Sequence, residues 1–169
     1  MKTLLNAAEI AARVPHGGTM CLLHALHESS DTHVLCSTTS HHAADNPLRS
    51  ASGLLSCNAI EYAAQAMALH GAMTAAANGP PRGGRLASVR GVKLHTTRLD
   101  TITGPLFVHA ERIAGDAGQA MYQFSLRDGQ GARAAQDSHR HRSAVGARLA
   151  VRRGFIPRTA VRPLSCHRF

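Results

Sequence analysis

Hydrophobic and polar positions change period several times along the chain, and the longest apolar stretch sets the plan. GLLSCNAIEYAAQAMALHGAMTAAA, from Gly53 to Ala77, is rich in the helix formers Ala, Leu and Met, contains no proline and is closed by Gly79, Pro80 and Pro81. It predicts one helix from about Cys57 to Ala77, roughly 30 Å long at 1.5 Å per residue. Apolar residues lie on most of its circumference, so other structure should wrap it on several sides. The polar exceptions are Glu61, Gln65 and His70. Glu61 and Gln65, four apart, share one face, and Ile60, Ala64 and Met67 beside them read as core.

Shorter patterns flank this segment. Asn6 to Val14 predicts a helix capped by Asn6, with Glu9 three residues on and Pro15 as the stop. Thr19 to His27 is apolar enough for a strand, and His33 to Thr39 alternates in the manner of one, with ESSD as the turn between them. His41 to Ser52 is a polar, proline-containing loop leading into the long helix. Beyond the helix, Arg85 to Thr97 predicts a strand with a central glycine, and Pro105 to Ile113 and Met121 to Arg127 predict two more. Their connections are too short for helical crossovers, which makes the later sheet antiparallel and the class α+β. Ser143 to Val151 is the one apolar candidate for a last strand, and without it a sheet edge stays open.

Length and charge narrow the function classes. The 169 residues suit a single domain. Glu61 and Gln65 interrupt the only long candidate for a membrane span, and Glu9 and Arg13 interrupt what would be the apolar part of a signal peptide, which leaves the cytoplasm as the expected location. Cys21, Cys36, Cys57 and Cys166 lack CxxC spacing, and this length needs no disulfide framework, so they read as core or incidental thiols. The net charge of +9 is unevenly placed. Up to Asp128 there are 10 Lys and Arg against 9 acids, whereas from Gly129 onward there are 9 Arg and the single acid Asp137. We therefore divide the chain into a domain over residues 1–130 and an arginine-rich tail over 131–169, mobile apart from the candidate strand near 143–151. A basic tail can contact phosphates, but nothing earlier supplies a basic patch with aromatic platforms, which argues against nucleic acid as a partner.

Candidate chemistry centres on Glu61, for which two readings stand. Asn58 and Glu61 have capping-box spacing, which makes Glu61 a first-turn acid. Alternatively it is a general acid or base whose pKa partial burial brings toward neutrality. His70, nine residues on, faces another side of the helix and reads as structural or solvent-facing. His24, His27, His33, His95 and His109 are scattered without a compact acidic partner, so no metal site is expected. GPPRGG lacks the ending of a phosphate loop, and GLLSC does not fit a nucleophile elbow.

PHGGTM near the start, HAADNPL before the helix, IEYAAQAMALHG within it and LASVRGVKL after it together resemble the hotdog-fold dehydratases that act on 3-hydroxyacyl groups carried by acyl carrier protein, in particular the branch associated with aryl-polyene and related lipid gene clusters. The resemblance spans about residues 5–128. It implies a hotdog fold, in which a curved antiparallel sheet wraps a long central helix, and dehydration to a trans-2-enoyl thioester by a histidine and an acid. His42, five residues before Pro47, matches the family's loop histidine, with His41 as the adjacent alternative, and Glu61 matches the acid. HAADNP lacks the Phe, Pro and Gly of the family's loop, and five extra residues separate Pro47 from Glu61. The resemblance also implies a homodimer that forms the site between subunits, an acyl tunnel, no metal and no organic cofactor. In the family the PHGG motif sits near that tunnel, so His16, which otherwise reads as structural through loop hydrogen bonding, is a candidate for binding substrate, and Gln65 is another. Backbone N–H groups at Gly53 and Leu54 are candidate donors to the thioester oxygen. Arg82, Arg85 and Arg90 are candidate contacts for an acidic carrier protein. A hotdog acyl-thioesterase and a non-catalytic dimer partner are the alternative functions.

Overall fold

The computed structural model describes residues 1–76, 84–116, 119–137 and 147–151. Among them, nine strands form one antiparallel sheet around a long helix. The chain opens with β1 (Leu5–Asn6) and α1 (Ala7–Ala11). The Asn6 side chain accepts from Glu9 N, and the Glu9 carboxylate accepts from Asn6 N, which is the capping box the spacing predicts. The expected strand from Thr19 to His27 is shorter than its apolar run. Gly18–Met20 is a 3-10 turn, and β2 starts only at Ala25 and runs to Ser29. Leu22 and Leu23, fully buried, belong to the connecting segment between them. Burial, and not strand pairing, accounts for their apolar character.

β3 (His33–Thr38) follows, and its Val34, Cys36 and Thr38 point inward. The central helix α2 (Ala59–Ala76) is preceded by a 3-10 turn, Ser56–Asn58. It packs against β3, β6 (Leu106–Gly115) and β7 (Gln119–Arg127). Ala59, Ala63 and Ala66 are buried beside Tyr62, Met67 and Leu69, and these short side chains let the helix axis approach the sheet. Opposite them stand Leu106, Val108 and Ala110 of β6 and Tyr122, Phe124 and Leu126 of β7, alternate residues of each strand as one face of a sheet requires.

The predicted strand from Arg85 to Thr97 divides into β4 (Gly84–Ser88) and β5 (Val92–Leu94), with Gly91 between them at φ 62°. The division follows from their partners. β7 lies against β6 along one edge, while its other edge is shared: Gln119 to Tyr122 pair with β9 (Ala147–Val151), and Ser125 to Arg127 pair with β8 (Arg133–Asp137). β9 in turn pairs with β4, and β8 with β5. A single straight strand cannot follow both branches. Within the stretch read as tail, residues 133–137 form β8, whose Ala134 and Ala135 are buried in the core. The last strand, expected within Ser143 to Val151, is β9, and residues 152–169 lie outside the described residues. Cys36 is a buried thiol, and Cys166 lies outside the described residues. Among the described residues no helix is long and apolar enough to cross a membrane.

His70 is structural. Its ring is fully buried, with Nε2 3.1 Å from Ser30 O and Nδ1 2.7 Å from the Tyr122 hydroxyl. A carbonyl only accepts, so Nε2 carries the proton and Nδ1 accepts from Tyr122. One ring thus ties α2 to β7 and to the β2–β3 turn. Tyr122→Phe leaves Nδ1 buried without a donor and is expected to cost about 1–3 kcal/mol of stability, measurable by urea denaturation.

Candidate functional site

Glu61 lies in the first turn of α2, 7% exposed. The capping box expected with Asn58 is not how either side chain is used: Asn58 Nδ2 donates to Leu48 O, and Glu61 Oε1 faces two other donors. His16 Nε2 is 3.1 Å from this oxygen, and Gln65 Nε2, one helical turn along the same face, donates to it at 3.1 Å. Burial pushes the Glu61 carboxyl up, but the hydrogen bonds from His16 and Gln65 outweigh it, and the net displacement is below the ordinary value. This corrects the expectation of a pKa raised toward neutrality. Glu61 rests as a carboxylate, poised to accept a proton or a hydrogen bond.

Gln65 is fully engaged by the protein. Its Nε2 also donates to Met20 O at 2.8 Å, and its Oε1 accepts from Leu22 N at 2.9 Å. It therefore fixes the irregular segment between α1 and β2 onto α2, and so holds His16 against Glu61. The His16 side chain is 9% exposed and its Nδ1 is buried without a hydrogen-bond partner. His16 and Gln65, expected at the substrate, are placed here as the immediate partners of the carboxylate.

A second cluster surrounds His42. Ser40–His42 form a 3-10 turn, with His41 fully buried and His42 exposed. Both rings direct Nε2 at Ile102 O, His42 at 2.8 Å and His41 at 3.4 Å, and they meet edge to face with centroids 4.0 Å apart. Neutral His42 therefore carries its proton on Nε2 and its lone pair on Nδ1. His42 lines a cavity of about 450 Å³ together with Thr19, Cys21, His24, Thr39, Ser40, Ala43, Asp45 and Asn46. Behind the cavity wall, the Tyr62 hydroxyl accepts from Asn46 Nδ2 at 3.0 Å and lies 3.1 Å from Ser40 Oγ. A side chain of α2 thus braces the loop that carries His42.

The expected oxyanion donors are occupied. Gly53 N donates to Ser50 O at 2.9 Å, and the Leu54 N–H bonds the Asp100 carboxylate. Gly53 is required for another reason: φ is +91°, and a Cβ there would run into the Arg98 guanidinium. Asp100, its side chain 5% exposed, is gripped by Arg98 through Nε at 2.9 Å and Nη2 at 2.7 Å, and by Arg49 Nη1 at 2.6 Å. Arg98 foremost holds its carboxyl well below the usual range. Sequence spacing gives no sign that Arg49, from a separate loop, joins the neighbouring Arg98 and Asp100 in this knot. Arg85 and Arg90 are exposed, and Arg82 lies outside the described residues. Among the described residues no three His, Cys, Asp or Glu side chains converge as a metal site requires.

A helix wrapped by one antiparallel sheet is the hotdog fold, and the family match makes the chain an enzyme of the dehydratase type. Residues 8–151 match the ApeP-like family, described as ApeP dehydratase, and the chain belongs to that family. The match runs through β9, well past the Asp128 limit of the sequence resemblance. Among solved structures, the chain is similar to the dehydratase heterocomplex ApeI:P from Xenorhabdus doucetiae, with 19% identity, 89% of this chain and 92% of that chain covered, and a TM-score of 0.71. It shares its fold with a hypothetical thioesterase bound to coenzyme A from Streptococcus pneumoniae, at 12% identity, 75% and 84% coverage and a TM-score of 0.52. A Haemophilus influenzae thioesterase is similar at 9% identity, 75% and 76% coverage and a TM-score of 0.52. No curated protein matches the chain significantly. The homodimer implied by the sequence resemblance is overturned, because the similar dehydratase structure is a heterocomplex.

His41 gives the site a pH signature. Burial, reinforced by the neighbouring His42, pushes it from 6.5 down to about 4. Unfolding restores the ordinary value, so in acid the unfolded chain binds a proton that the folded chain refuses. The resulting stability is complete above pH 6.5 and is lost as pH falls from there to about 4. In that window, His41→Gln is expected to flatten the stability profile by up to about 1.4 kcal/mol per pH unit, measured from urea midpoints.

Proposed function

We propose that this chain dehydrates 3-hydroxyacyl thioesters carried on acyl carrier protein, and that it does so in a complex with a second, different hotdog chain. The observation that carries the reading is Glu61, a buried carboxylate with Oε1 held by His16 and Gln65 in a chain of the dehydratase family. Holding Oε1 in this way leaves Oε2 for a substrate hydroxyl.

Elimination of water requires a base at C2 and a proton for the oxygen leaving C3. His42 Nδ1, with its lone pair set by the Nε2 bond to Ile102 O, takes the C2 proton. The C–H pair becomes the C2–C3 double bond, the C3–O bond breaks, and the oxygen leaves as water with a proton returned by an imidazolium. In the site that holds Glu61, the carboxylate orients the departing hydroxyl and stabilises the charge on the imidazolium that serves that site. In this protomer the ring of His42 bonds Ile102, while Glu61 bonds His16 and Gln65. Each is therefore completed by the complementary group of the second chain, as the heterocomplex of the similar dehydratase suggests. Exposed Arg85 and Arg90 offer charge for an acidic carrier protein.

Glu61→Gln and His42→Ala, assayed in the complex, are each expected to lower turnover of a 3-hydroxyacyl carrier-protein thioester by about a hundredfold, the scale of a lost positioned acid or base. The assay follows enoyl thioester and free thiol together. Thiol release without enoyl product would move the activity to thioester hydrolysis, and unchanged dehydration by both variants would remove this site from the reaction.

A further inference from the structure

The two peptide carbonyls that flank His42 end on the same guanidinium. Arg49 Nη2 donates to His41 O at 2.9 Å, and Arg49 Nε donates to Ala43 O at 3.2 Å. The remaining Nη1 reaches Asp100 Oδ2 at 2.6 Å. Asp100 stands two residues before Ile102, whose carbonyl receives the His42 Nε2 proton at 2.8 Å. One planar side chain therefore joins the backbone on either side of the ring to the segment that supplies the ring's own acceptor.

From this geometry we infer that Arg49 is a positioning residue for His42, fixing through a three-way clamp both the ring's place and the tautomer that leaves Nδ1 free. The role rests on the reading of His42 as the base. Each element of the clamp is needed for a physical reason. His41 O and Ala43 O belong to a short, irregular turn with no sheet ladder to hold it, so their partner sets where the turn lies. Asp100 is fixed independently of Arg49, by the bidentate Arg98 and the Leu54 N–H. The segment around it is secured to the approach to α2, with Leu99 N donating to Leu54 O at 2.8 Å and Ser56 N donating to Thr97 O at 3.0 Å. Arg49 thereby transmits the position of the Glu61 helix to the His42 turn. A lysine presents a single ammonium at the end of a flexible stem, which cannot meet two carbonyls and a carboxylate in one plane.

Arg49→Met tests the clamp without stranding a buried charge, because Asp100 keeps Arg98, and Arg49→Lys tests whether charge alone suffices. Two readouts are made on the full chain, with turnover measured in its complex. In nitrogen-15 spectra of the neutral His42 ring, wild type is expected to show the Nε2–H tautomer, and both variants a mixture of Nε2–H and Nδ1–H. In steady-state kinetics, both variants are expected to lose about tenfold or more in kcat with KM changed less than about twofold, the pattern of a lost transition-state alignment. Wild-type kcat in Arg49→Met, or an unchanged His42 tautomer in that variant, would overturn the inference. If His42→Ala dehydrates normally, the base assignment fails on its own terms, and the tautomer measurement still decides whether Arg49 holds the ring.

Discussion

A single carboxylate oxygen, Glu61 Oε1, is the point on which the interior depends. It is buried, ionised and shared by two N–H donors. Removing a carboxylate from water is costly unless its lone pairs are met, so the chain must bring donors to it, and the donors fix more than the charge. Gln65 reaches Glu61 from the next turn of α2, while gripping Met20 and Leu22. The segment from His16 to Leu22, which has little regular structure, acquires a defined path because its backbone groups are partners of a helix side chain. The Leu22 carbonyl then accepts from Ser40 Oγ at 2.8 Å, so the same segment also holds the start of the His42 turn.

Around this centre the polar groups form a continuous support. Tyr62, next to Glu61 in the helix, braces Ser40 and Asn46, and Arg49 and Arg98 converge on Asp100. Two arginines on one acid leave that acid with a partner if either is lost, which suits a carboxylate that anchors two loops. The histidines divide by surroundings: His70 and His41 are buried and kept neutral, whereas His42 is exposed on a cavity wall with a fixed donor and an available lone pair. Their sequence neighbourhoods show nothing of this division.

The same wrapped helix serves dehydratases and thioesterases among similar structures, so the fold alone leaves the reaction open. Family membership supplies the dehydratase class, and the carboxylate geometry is the observation on which the proposed site rests. The similar dehydratase is a heterocomplex, and in such an assembly two different chains need not contribute equivalent groups.

While the hotdog fold was what the family resemblance implied, the pattern of the sequence by itself determined the central helix, the capped first helix, most of the antiparallel strands and the α+β class. These depend on short-range periodicity, on caps and on helix-breaking residues, all of which are local. It also placed a carboxylate on a buried face of the helix and a loop histidine ahead of it. Only the tertiary structure decided what each group meets. His16 and Glu61 are 45 residues apart and Arg49 and Asp100 are 51 apart, and no periodic pattern links such pairs. β8 escaped the sequence because two buried alanines in a basic stretch are a faint signal, and the break at Gly91 escaped it because strands β8 and β9, far along the chain, share one edge of β7. The direction of the Glu61 pKa was beyond the sequence for the same reason: burial, legible from pattern, pushes it up, and the donors that pull it down arrive through folding.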